Sequence, residues 1–86
     1  MSQKANPRLT AAVMEVVENQ IRDGTPPETK QTLDRLMAEG YAEQEARRLI
    51  ANVVASEIFD ILKNKELYDR DRYVTALHRL PKLPWE

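Results

Sequence analysis

The segment Ala42–Lys63, AEQEARRLIANVVASEIFDILK, decides the fold. Ala46, Leu49, Ile50, Val53, Val54, Ile58, Ile61 and Leu62 recur in it at helical spacing and draw one broad apolar face. A face that wide needs at least two other segments packed against it. The sequence therefore predicts an all-α protein: a compact four-helix domain organised on a long third helix, over residues 43–63. Glu43 and Glu45 stand near its positive end and Lys63 near its negative end, as the helix dipole favours. Glu57 falls four residues after Val53 and four before Ile61, beside the apolar face.

Working back from that helix, Gly40-Tyr41 is a joint: a glycine cap, then an aromatic folding back on the preceding turn. Residues 27–39 form a second helix, opened by Thr25-Pro26-Pro27-Glu28 and carrying the narrow stripe Leu33, Leu36 and Met37. It is expected to act as a strut between the first and third helices. The first helix, 7–23, opens at Asn6-Pro7, runs through Leu9, Val13, Val16, Val17 and Ile21, and stops at Asp23-Gly24. Gln20 lies at the edge of that stripe. Working forward, residues 64–68 turn the chain, with Leu67 and Tyr68 expected against the end of helix three. Asp69 or Asp71 caps a fourth helix, 70–80, bearing Tyr73, Val74, Leu77 and Leu80 until Pro81 stops it. The tail Lys82-Leu83-Pro84-Trp85-Glu86 holds the only tryptophan, expected to dock on its own domain or on a neighbour.

Eighty-six residues make one small domain, burying about 60–65% of its extended-chain surface. Thirteen Lys and Arg against 14 Asp and Glu give a net charge of -1, spread evenly along the chain. No basic field exists to gather a phosphate backbone, so nucleic acid is not an expected partner. Cysteine is absent, excluding disulfides, thiolate zinc clusters and cysteine nucleophiles. No apolar run of roughly 18 residues could span a bilayer, and MSQKANPR lacks a signal-peptide core, so a cytoplasmic location is the expectation.

Chemistry is sparsely signalled. A buried Glu57 must be paired, liganded or neutral. The favoured reading has its methylenes on the core edge and its carboxylate on water or an arginine from another segment. The sharper one makes it a metal ligand, with Glu15, Glu18 or His78 brought near by folding. His78, the sole histidine, is expected to face solvent, and no recognised zinc spacing is present. Gln20, if buried, needs hydrogen-bond partners; the plainer reading sends it to solvent. Ser56 and the threonines have no activating histidine nearby in sequence, and Gly24 and Gly40 read as helix terminators rather than a phosphate loop. Residues 33–49 form a loose helix–turn–helix in which Arg47 and Arg48 are surrounded by Glu39, Glu43 and Glu45. Leu36, Met37, Gly40, Tyr41 and Ala46 are similar to the Met-Gly-Phe/Tyr turn of ubiquitin-associated three-helix domains.

Taken whole, the chain resembles a family of uncharacterised bacterial helical proteins related in pattern to the domain of unknown function numbered 1841. The resemblance is carried by Asn6-Pro7 with Leu9, Val16 and Gln20, Pro26-Pro27, Gly40-Tyr41, Glu45-Ala46, Glu57-Ile58 and the Asp71–Leu80 segment. It implies paired histidines on the first and third helices, at positions held here by Thr10, Met14, Gln44 and Arg48. With none of these a histidine, the metal site that the resemblance implies lacks its ligands, and only Gln20 and Glu57 remain as polar relics. The reading taken from the sequence is a small structural or protein-interaction module without catalytic activity and with no expected cofactor. Its partner would be itself, as a homodimer, or another protein, with Leu83, Trp85 and Tyr73 as interface candidates. The alternative is a helical metal-binding protein or enzyme using Glu57 with other acids or His78.

Overall fold

The computed structural model describes residues 7–86, with side chains from Arg8 onward, and contains helices α1 (Pro7–Asp23), α2 (Pro27–Ala38), α3 (Glu43–Asn64) and α4 (Arg70–Arg79). No strand occurs among the described residues. Asn6, the expected cap of α1, lies outside them.

Each helix ends for a local reason. Gly24 amide donates to the Gln20 carbonyl at 2.8 Å, with Gly24 at φ 69°. At the end of α2, Tyr41 amide reaches the Leu36 carbonyl at 3.1 Å and Gly40 amide the Met37 carbonyl at 3.0 Å, with Gly40 at φ 108°. These two bonds make a Schellman closure that sets the angle between α2 and α3 and lays Tyr41 against the core. At the start of α3, Ala42 amide donates to Glu45 Oε1 at 3.3 Å; alanine has no side-chain oxygen to return a bond, so half a capping box forms. Lys65, at φ 54°, ends α3 in the left-handed region. Asp69 rather than Asp71 caps α4, accepting from the Arg72 amide at 3.1 Å.

α3 is the centre of the packing: α1, α2 and α4 all lie against it, and α2 also contacts α1 and α4. Val13 and Val17 of α1, Leu33 and Leu36 of α2, Ala46, Ile50, Val53 and Val54 of α3, and Tyr73, Leu77 and Leu80 form the core. α2 is more than a strut. Thr29 and Thr32 are buried with Leu33 and Leu36, while Met37, expected in its stripe, is largely exposed. Two further expectations are corrected. Leu67 stands in solvent at 89% exposure rather than tucking under α3, because the left-handed Lys65 turns the chain outward first. Leu62, counted with the core face of α3, is 74% exposed. At 100° per residue it lies about 140° around the helix from Glu57, on the outer side of α3.

Candidate functional site

Glu57 is buried on the core side of α3, and its carboxylate is met by Arg72 from the first turn of α4. Arg72 Nε donates to Oε1 at 3.1 Å and Nη2 to Oε2 at 2.6 Å, a bidentate pair; Nη1 donates to Glu66 Oε1 at 2.8 Å. The hydrogen bonds that the guanidinium donates to Glu57, then the one to Glu66, hold its pKa well above the ordinary value. The arginine partner expected from another segment is therefore Arg72, which sequence reasoning did not name. The only signal for it was its place beside Tyr73 at the start of an amphipathic helix.

Next to this pair lies a second polar group that joins three helices. Gln20 Oε1, on α1, accepts from Thr29 Oγ1 of α2 at 2.8 Å and from Tyr73 OH of α4 at 2.7 Å. Thr29 Oγ1 and Tyr73 OH are themselves 3.4 Å apart. Gln20 is half-buried, and Thr29 and Tyr73 are buried. Burial, before any other influence, pushes the Tyr73 phenol up to about 12. Gln20 thus spends its oxygen inside the domain rather than in solvent. Tyr73, counted among the interface candidates, is a core residue at 2% exposure: its ring fills the space among the helices while its hydroxyl meets Gln20.

The other sequence candidates are dispersed. Glu18 is exposed and paired with Arg47, which also binds Glu43 Oε2 at 2.8 Å; those two carboxylates raise the Arg47 pKa, the Glu43 hydrogen bond most. Arg47 is thereby occupied, which removes half of the basic pair set out for phosphate. His78 is exposed on α4, and Glu15 is exposed on α1. Among the described residues no three His, Cys, Asp or Glu form a group that could hold a metal ion. Thr10, Gln44 and Arg48 are exposed and Met14 is half-buried. A groove of about 430 Å³ between α3 and α4 mixes both signs of charge, with Asp60, Asp69 and Asp71 facing Arg72, Arg79 and Lys82.

The most distinctive surface is apolar. On the outer side of α3 a groove of about 610 Å³ is lined by Leu9 and Val13 of α1, Ala55, Phe59 and Leu62 of α3, and Trp85 of the tail. Leu9, Phe59, Leu62 and Trp85 are 57, 61, 74 and 63% exposed. Lys63 Nζ lies 5.7 Å from the Phe59 ring centroid. Leu83 is half-buried against the core and ties the tail down, whereas Trp85 projects onto this face. The tail therefore docks with one apolar residue and displays the other. Phe59 and Leu62 were missed as surface residues. Their 3-residue spacing, on the side of α3 turned away from Glu57, was the available sign.

Comparison with protein-family models, curated proteins and solved structures finds no match for the chain. No helix among the described residues is long and apolar enough to cross a membrane.

Proposed function

We propose that this chain is a non-catalytic protein-interaction module whose docking surface is the outer face of α3, flanked by Leu9 and Trp85. One observation carries the reading: four large apolar side chains converge there, each more than half exposed. Together they present about 500 Å² of apolar surface, the scale at which a patch on a monomer is commonly a binding surface. Trp and Phe are also the residue types that anchor interfaces, since they bury much area with few torsions. The polar groups of the interior are committed to one another, so the surface is where the chain meets other molecules.

The test is the hydrodynamic size of the protein, both in extracts of the cells that make it and as purified protein at up to about 1 mM. Wild type should be larger than the monomer in at least one of the two. Phe59→Asp/Leu62→Asp should be the monomer in both while keeping its helical circular dichroism. A wild-type chain of monomer size in both, or a complex that the double variant leaves intact, removes the reading.

A further inference from the structure

We propose that a second copy of this chain covers the outer face of α3, the two α3 helices running antiparallel about a two-fold axis with Phe59 of each seated on Ala55 of the other. This rests on the docking reading above and names its partner.

The first support is the period. Asn52, Ala55, Phe59 and Leu62 follow one another at spacings of 3, 4 and 3, the seam by which two helices interlock side chains. All four sit on the side of α3 opposite Glu57, within about 40° of the direction that points away from the core. α3 thus carries two apolar strips. The inner one is packed by α1, α2 and α4, and the outer one is exposed, bordered by Leu9 of α1 and Trp85 of the tail.

The second support is shape. Along the outer strip the small residues, Asn52 and Ala55, come first and the large ones, Phe59 and Leu62, come last. A parallel pairing would set ring against ring at one end and leave a void at the other. Reversing one helix pairs large with small throughout: Phe59 with Ala55 and Leu62 with Asn52, so the strip is complementary to itself. An interface related by a two-fold requires self-complementarity of this kind.

The antiparallel alignment that joins Phe59 to Ala55 also opposes the two helix dipoles, whereas a parallel pairing sets like end against like end.

Area completes the case. Two faces of about 500 Å² bury about 1,000 Å² of apolar surface, the threshold of a specific interface, before any polar rim is added. Leu9 and Trp85 stand on either side of Phe59 and close around the incoming helix. What the second copy displaces from the ring is the flexible Lys63 side chain. The size predicts a dimer of modest affinity that responds to concentration.

Purified protein in sedimentation equilibrium from about 1 μM to about 1 mM should pass from the monomer mass of 10.0 kDa to about twice that value. Phe59→Asp should raise the dissociation constant by about 30-fold or more with helicity and dilute-solution melting unchanged. Register is read by cysteine pairing, since the chain has no cysteine of its own. When Asn52→Cys and Leu62→Cys chains are mixed and oxidised, mixed disulfides should far exceed the statistical half of all cross-linked dimers. A statistical mixture, or like pairing only, overturns the antiparallel arrangement. A mass that stays at the monomer value across the range overturns the second copy as partner. Should the large complex in cell extracts persist alongside that result, the docking reading stands and the partner is a different protein.

Discussion

The Gln20–Thr29–Tyr73 group makes a quantitative prediction, because two hydroxyls share one acceptor. Tyr73→Phe removes one donor and leaves Thr29 still bound to Gln20 Oε1 at 2.8 Å, so no buried polar atom is stranded. The cost is that of one net hydrogen bond, about 1 kcal/mol. Gln20→Leu removes the acceptor from both hydroxyls and leaves them only each other, 3.4 Å apart. Its cost is about 2–3 kcal/mol, the desolvation of hydroxyls left without a good partner. The double variant strands Thr29 alone, so it should cost about 1 kcal/mol less than the two singles together. Urea unfolding followed by circular dichroism reads all four corners of the cycle, and each kcal/mol should appear as about 4–8 °C in Tm. The phenol adds a pH signature. Its folded pKa, about 12, stands above the ordinary 10.0. The neutral form is therefore favoured by folding, and that contribution is complete below about pH 10 and lost as pH rises to about 12. The loss amounts to about 3 kcal/mol. Between about pH 9 and about pH 12 the wild-type urea midpoint should fall more steeply than that of Tyr73→Phe. Tyr68, whose ring centroid is 6.1 Å from that of Tyr73, is present in both proteins and drops out of the difference. Strict additivity in the cycle, or parallel alkaline profiles, would refute the shared acceptor or the burial of the hydroxyl.

Arg72→Met should lower the urea midpoint, since it removes the bidentate partner of a glutamate whose side chain is only 9% exposed. Adding Glu57→Leu should recover part of that loss, because the stranded charge goes with it. A double variant less stable than Arg72→Met alone would contradict this. Gly40→Ala should cost about 1–3 kcal/mol through backbone strain at φ 108° alone, as a Cβ there meets nothing within 4 Å. Gly24→Ala, at φ 69° and in equally open space, should cost only about 1 kcal/mol, and thermal melts of the two variants should rank in that order.

Much of this fold is legible in the sequence because its helix ends are written in residue types with one conformational use. Gly24, Gly40, the Pro26-Pro27 pair and Asp69 place the element boundaries within a residue of those observed. The core of α3 is legible from its period. Which of the two apolar strips on α3 would face inward at Leu62 is not, because a strip of leucine and phenylalanine reads alike whether covered or bare. The polar group is illegible for a different reason. Gln20, Thr29 and Tyr73 are 9 and 44 residues apart along the chain, and periodicity scores each as a polar or aromatic residue by itself. That Thr29 can be fully buried follows only once its hydroxyl has found Gln20, a contact created by tertiary packing. Arg72 was likewise called for by Glu57, yet several arginines fitted the requirement until α4 was docked.

The two halves of the chemistry then bear on each other. Among the described residues no buried side-chain nitrogen or oxygen lacks a hydrogen-bond partner. Glu57 is held by a fork, and Gln20 Oε1 by two hydroxyls, so the interior uses its polarity to fix how α1, α2 and α4 sit on α3. The outer strip obeys the opposite logic. A substitution on a surface away from special features is worth about 0.5 kcal/mol or less to the monomer. Its stability therefore gives no reason for Phe59 and Leu62 rather than lysine or glutamate. Large exposed apolar residues carry a standing risk of non-specific association. Their presence in register on the one helix that every other helix braces is what the proposed contact with a second copy would account for.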